Sequence, residues 1–174
     1  MAPNRNETEH ERLDRNLNEL LGELRVALPG VQVLFAFLLA VPFNQRFGQT
    51  TSFEKGVYYV TLVGTAIAMA FLIAPSAIHR IEFRAGDKRH IVFTANRFAV
   101  IGFAILGLAM SAAVLLVTHF LYANALAVVT TVLSAAVFLG LWFLFPLARL
   151  RHLERERPQS EPSDLIDQVI TRRS

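Results

Sequence analysis

The chain has 174 residues, of which 53% are hydrophobic and 18% charged, and its formal net charge is +3. This composition suits either a membrane protein or a soluble domain with a large core. Because the chain has no cysteine, disulfides, thiolate metal sites and thiol nucleophiles are excluded.

Residues 1–28 are predicted to form an amphipathic helix in the cytoplasm or at the membrane interface. Its leucines recur at spacings of three and four residues, which is typical of one apolar helix face. Lipid, a cytoplasmic loop or another protein copy could cover that face. Acids and bases are mixed along the segment, whereas membrane-surface helices usually have a basic polar face. The candidate partner face consists of Leu13, Leu17, Leu20 and Leu24.

Pro29 and Gly30 follow this helix directly. Proline removes a backbone donor and clashes with the preceding turn, so we expect a kink that redirects the chain into the first membrane span. Gln32 lies two residues further on, inside an apolar run. Its amide either satisfies backbone groups that the proline leaves unpaired or contacts a permeating solute, which makes Gln32 a candidate pathway residue.

Three uncharged runs predict four membrane spans. A helix needs about 20 apolar residues to cross the hydrocarbon layer, and runs 26–45 and 56–78 each match one crossing. Run 98–148 is too long for one crossing, so the chain must turn within it, and polar residues between Thr118 and Asn124 favour a turn there. The transmembrane domain is predicted over residues 29–148, with spans at about 27–45, 56–78, 98–119 and 124–147.

The loop between the second and third spans is rich in basic residues. Clustered basic residues beside a membrane attract anionic headgroups, but they also act simply as anchors that fix the topology. The candidate lipid or anion contacts are Arg80, Arg84, Lys88 and Arg89. The last segment, residues 149–174, is predicted to be a mostly disordered cytoplasmic tail because it contains a polar, proline-containing linker.

The distribution of positive charge predicts the orientation. Of the 17 Lys and Arg residues, all except Arg46 and Lys55 lie in the N-terminal segment, the loop 79–97 or the tail. Basic residues in short loops stay in the cytoplasm, so both termini are predicted to be cytoplasmic in the bacterial inner membrane. The expected fold is all-α, with four antiparallel helices in an up-down bundle. Topology explains the basic residues, so no nucleic-acid partner is expected.

The predicted spans contain no Asp, Glu, Lys or Arg. Catalysis or ion coupling in a bilayer usually needs such a group, and the chain shows no catalytic or phosphate-binding motif. We therefore expect no enzyme activity, catalytic residue, cofactor or metal. The Ser and Thr hydroxyls beside small residues favour helix packing. His119 is expected at the outer turn, without a partner.

The chain resembles a family of small four-span actinobacterial membrane proteins of unknown function. The resemblance covers most of residues 7–149 and is carried by two stretches, ETEHERLDRNLNELLGELRVALPGVQVLFAFLLAVPFNQRF (residues 7–47) and APSAIHRIEFRAGDKRHIVFTANRF (residues 74–98). Members are sometimes labelled sodium:proton antiporters, and a chain without a carboxylate in any predicted span departs from that label.

Two functional hypotheses follow. The first is an accessory or structural membrane component that presents its N-terminal helix and basic loop to partners or lipid, alone, as a homo-oligomer or in a larger complex. The second is a transporter or channel subunit that forms a pathway by oligomerising. A pathway predicts that Gln32 and the Ser and Thr side chains line a water-filled cavity, whereas an accessory role predicts a dry bundle.

Overall fold

The computed structural model describes residues 8–82, 88–122 and 124–155, and the regular structure in these ranges is helical. Four stretches are long and apolar enough to cross a membrane, namely Glu9–Phe43, Ser52–Ile81, Arg89–Tyr122 and Ala125–Leu153. This confirms an all-α chain with four potential spans. The helices are α1 (Glu9–Ala40), α2 (Ser52–Glu82), α3 (Lys88–Tyr122), α4 (Ala125–Leu139) and α5 (Phe145–Arg155).

Short polar side chains start several of these helices. Thr8 and Glu11 form a capping box at the start of α1, in which each side chain bonds the other residue's backbone N–H. The Asn124 side chain accepts a hydrogen bond from the Leu126 N–H at 2.9 Å and caps α4. Because α3 ends at Tyr122 and α4 begins at Ala125, the turn predicted within the long apolar run is confirmed.

Helix α1 continues through Pro29. Pro29 lies inside the helix, which runs from Glu9 to Ala40 without interruption. The amphipathic segment and the first potential span are thus parts of one helix, and Leu28 is not a helix end. Two 3₁₀ turns, Val41–Phe43 and Gln45–Gln49, then lead to α2.

Helices α2 and α3 form the closest pair, and they run in opposite directions. Well inside the pair, a Cβ built on Gly64 would lie 3.6 Å from Ala109 Cβ. Further along, a Cβ built on Gly102 would lie only 2.8 Å from Leu72 Cδ2. Residue numbers therefore decrease along α3 as they increase along α2, so the two helices are antiparallel. Because Gly102 has no side chain, the two backbones can approach closely there.

Helix α1 packs against both α2 and α3. The buried Tyr58 hydroxyl of α2 donates a hydrogen bond to the Leu38 carbonyl of α1 at 3.0 Å, which joins the two helices inside the fold. At the other end of α1, Leu17 forms a buried cluster with Ile91 and Ala95 of α3. The three helices therefore share one interior.

Helix α4 is far more exposed than the first three helices. Its apolar side chains are largely accessible, and in residues 125–137 only Ala127 is buried. In a bilayer such a helix is covered by lipid chains or by another membrane helix, since either is as apolar as the exposed leucines and valines.

Residues from Phe138 onward form a separate compact unit. In it a π-helical turn, Gly140–Leu144, leads into α5, and the Phe138 and Trp142 rings lie 5.1 Å apart. The tail that we predicted to be mostly disordered begins as helix, since α5 continues to Arg155. Its remainder, residues 156–174, lies outside the described part of the chain.

Candidate functional site

The most distinctive polar group is Glu54, in the first turn of α2. Thr51 precedes the helix, and its N–H and hydroxyl donate to Glu54 Oε2 at 2.7 and 3.0 Å. The Glu54 N–H donates back to Thr51 Oγ1 at 3.2 Å. This reciprocal capping box satisfies backbone donors at the helix start and holds the carboxylate in place. Only 7% of Glu54 is exposed.

The second carboxylate oxygen of Glu54 reaches across to α3. Glu54 Oε1 lies 3.3 Å from His119 Nδ1, one turn before α3 ends at Tyr122. The Phe53 ring lies 5.1 Å from the imidazole. A helix start favours an anion, so the position of Glu54 suits its carboxylate. His119 therefore has a partner, contrary to our expectation.

Glu54 lies on the same helix as the second predicted span. Helix α2 begins at Ser52, four residues before the uncharged run at Gly56, so the carboxylate lies just before that run. The Thr51-x-x-Glu54 pattern is a recognisable helix-start signal that could have extended the predicted helix. Its pairing with a histidine 65 residues away has no local sequence signal.

A cavity of about 510 Å³ lies beside Glu54. The ends of α1 and α3, the start of α2 and the two 3₁₀ turns form its walls. Most lining residues are apolar, and the polar ones are Asn44, Arg46, Thr50 and Glu54. The Asn44 side chain accepts a hydrogen bond from the Arg46 N–H at 3.0 Å, which fixes the backbone of the second 3₁₀ turn. We call this space the α1–α2 cavity.

The hydroxyls in the interior of the helix bundle bond to their own helices. Thr61 and Thr65 are fully buried, and their hydroxyls donate to the Val57 and Thr61 carbonyls at 2.7 and 2.8 Å. Ser111 donates to the Gly107 carbonyl at 2.8 Å. In the described residues every buried side-chain nitrogen or oxygen has a hydrogen-bond partner. Gln32 lies apart from these hydroxyls, exposed on α1.

The predicted partner face is largely covered by the chain itself. Leu13, Leu17 and Leu24 are buried, and Leu20 is partly buried against the cluster of Leu17 with α3. A smaller cavity of about 400 Å³ adjoins Leu13 and Leu17 and is also lined by His79. The leucine face of α1 is therefore buried within the chain, and around Leu17 it is α3 that covers it.

The predicted basic contacts lie around the connection between α2 and α3. Arg80 and Arg89 are exposed, and the Arg89 guanidinium carbon lies 5.9 Å from the centre of the Phe93 ring. Lys88 is the first residue of α3. Arg84 lies outside the described residues. The exposed arginines are accessible to headgroups, but the structure does not bring them together into a defined site.

Residues 6–146 match a family of unknown function, DUF6328. No curated protein and no solved structure matches the chain.

Proposed function

The chain belongs to this family of unknown function, and we propose that it is a non-enzymatic accessory or structural component of the bacterial cell membrane. The observation that carries this proposal is the bonding of Thr61, Thr65 and Ser111 to their own backbones. These hydroxyls need no water, so they support a dry bundle rather than a hydrated pathway.

The surfaces of this component that we propose to contact partners or lipid are the ones that stay exposed in the fold. Because the leucine face of α1 is covered within the chain, partners or anionic lipid would meet the charged face of α1 and the exposed Arg80 and Arg89. The apolar surface of α4 would contact lipid, a second copy or another membrane helix. No nucleic-acid contact is part of this proposal.

A flux measurement tests the accessory role. Purified protein in liposomes is expected to give no faster sodium, proton or dye movement than empty liposomes under a pH or sodium gradient. A protein-dependent flux that Gln32→Ala abolishes would instead favour an oligomeric pathway, because Gln32 is exposed on α1 and could face another copy. Gln49→Ala, at an exposed position in the second 3₁₀ turn, is the control.

We further propose four spans in an up-down arrangement with both termini in the cytoplasm, following the bias of Lys and Arg. Since the chain has no cysteine, single cysteines can be introduced at Gln49 and Gly86 without a background signal. An impermeant maleimide added to intact spheroplasts should label the cysteine at Gln49 alone. Labelling at Gly86 without lysis would overturn this orientation.

A further inference from the structure

The α1–α2 cavity has the size and composition of a ligand site. Its volume of about 510 Å³ lies within the roughly 300–1,000 Å³ typical of small-molecule pockets, which are mostly apolar with a few polar groups. It lies between the ends of three helices, and two of these ends contain the Glu54–His119 pair. An accessory role does not require such a cavity.

The walls of the cavity suit a hydrocarbon chain. Aromatic and branched side chains project from the last turns of α1 and α3 and from the turn after α1, and together they give a surface without hydrogen-bonding groups. Burying apolar surface there is favourable by about 25 cal/mol per Å². These residues are Phe37, Val41, Leu116, Val117, Phe120 and Leu121.

The polar lining is asymmetric in charge. Both oxygens of Glu54 are already engaged, one with Thr51 and the other with His119. Arg46 is exposed and is the lining residue with a positive side chain. An arginine guanidinium presents several N–H donors that match phosphate oxygens. The cavity therefore combines an apolar interior with an arginine and favours an anionic amphiphile.

We propose that the α1–α2 cavity binds an anionic membrane phospholipid, with one acyl chain against Phe37 and Phe120 and the phosphate at Arg46. The location supports this occupant, because the cavity lies at the ends of helices that are long and apolar enough to span, where headgroups and the first acyl carbons meet protein. This site is distinct from the exposed arginines of the α2–α3 connection.

Competitive lipid binding tests the proposal. The protein is purified in mild detergent, exchanged with equal amounts of phosphatidylglycerol, phosphatidylcholine and a cationic ethyl-phosphatidylcholine, and analysed by native mass spectrometry. Phosphatidylglycerol should be retained in preference to both. Arg46→Gln should lower this preference about fivefold, as expected for the loss of one basic contact. Lys55→Gln, exposed but not lining the cavity, should leave it unchanged.

A second measurement locates the lipid. Phosphatidylglycerol with a photoreactive acyl chain should label the peptide that contains Leu116 to Leu121, and unlabelled phosphatidylglycerol should compete. An unchanged preference in Arg46→Gln, or labelling only outside the cavity walls, would overturn the proposal. Preferential retention of the cationic lipid would also overturn the proposal and would identify Glu54 as the recognition group. Retention of free fatty acid alone would exclude a phospholipid as the ligand.

Discussion

Glu54→Ala is expected to lower the free energy of unfolding by about 2.5–4 kcal/mol. The substitution removes a helix cap, which contributes about 1 kcal/mol, and a hydrogen bond to a charged carboxylate, which contributes about 1.5–3 kcal/mol. It also leaves His119 without the carboxylate that lies 3.3 Å away. Reversible unfolding in mixed detergent micelles, followed by circular dichroism, measures this loss.

The chain contains a matched control for this substitution. Thr8 and Glu11 form the same capping box at the start of α1, but Glu11 is exposed and its bonds are local. Glu11→Ala should therefore destabilise the protein less than Glu54→Ala. Equal losses in the two variants would show that the bond between α2 and α3 contributes nothing measurable.

A double-mutant cycle isolates the contact between the helices. Glu54→Gln keeps an acceptor for the capping box but removes the charge that faces His119. Combined with His119→Ala, it should reveal a coupling energy of about 1 kcal/mol, within the range for residues in contact. A coupling energy near zero would mean that the two side chains act independently.

Gly102→Leu is expected to destabilise the α2–α3 pair by about 3 kcal/mol, at the upper end for overpacked cores. A Cβ at this position would lie 2.8 and 2.9 Å from the Leu72 Cδ2 and Cγ atoms and 3.2 Å from Phe71 Cβ. Leu72 is fully buried, so the helices must separate to admit a larger side chain. Thermal unfolding in detergent, with light scattering to detect aggregation, provides the measurement.

Two other glycines provide a graded comparison. Gly56 has open space around a built Cβ, and at Gly64 the nearest contact is an ordinary 3.6 Å. Gly56→Leu and Gly64→Ala should therefore be tolerated, whereas Gly102→Ala should already cause a loss. If all these variants melt at the same temperature as the parent, close packing at Gly102 does not limit stability.

The long helices were predictable from the sequence because a bilayer imposes a minimum apolar length. The turn before α4 was predictable because a polar residue with capping ability, Asn124, interrupts the apolar run. The residues that cover Leu17 and Leu24 were not predictable. Periodicity indicates that a helix face is buried, but it does not identify the residues that bury it. Only the fold shows that Ile91 and Ala95 cover Leu17.

The candidate site was harder to predict than the helices. Glu54 lies outside the predicted span, which begins at Gly56 directly after the charged Lys55, whereas the capping box starts the helix at Ser52. The pairing with His119 depends on the register of α2 against α3, which close packing at Gly102 helps to set. The α1–α2 cavity depends in addition on the path of two 3₁₀ turns, and turns of three to five residues are too short to show a periodic pattern.

The continuity of α1 connects two distant parts of the fold. Its 32 residues extend about 48 Å at 1.5 Å per residue, well beyond the roughly 30 Å of a hydrocarbon layer. The same helix contacts α3 through Leu17 at one end and lines the α1–α2 cavity with Phe37 at the other. The packing around Leu17 and the wall of the cavity are therefore connected through the hydrogen-bonded backbone of one helix.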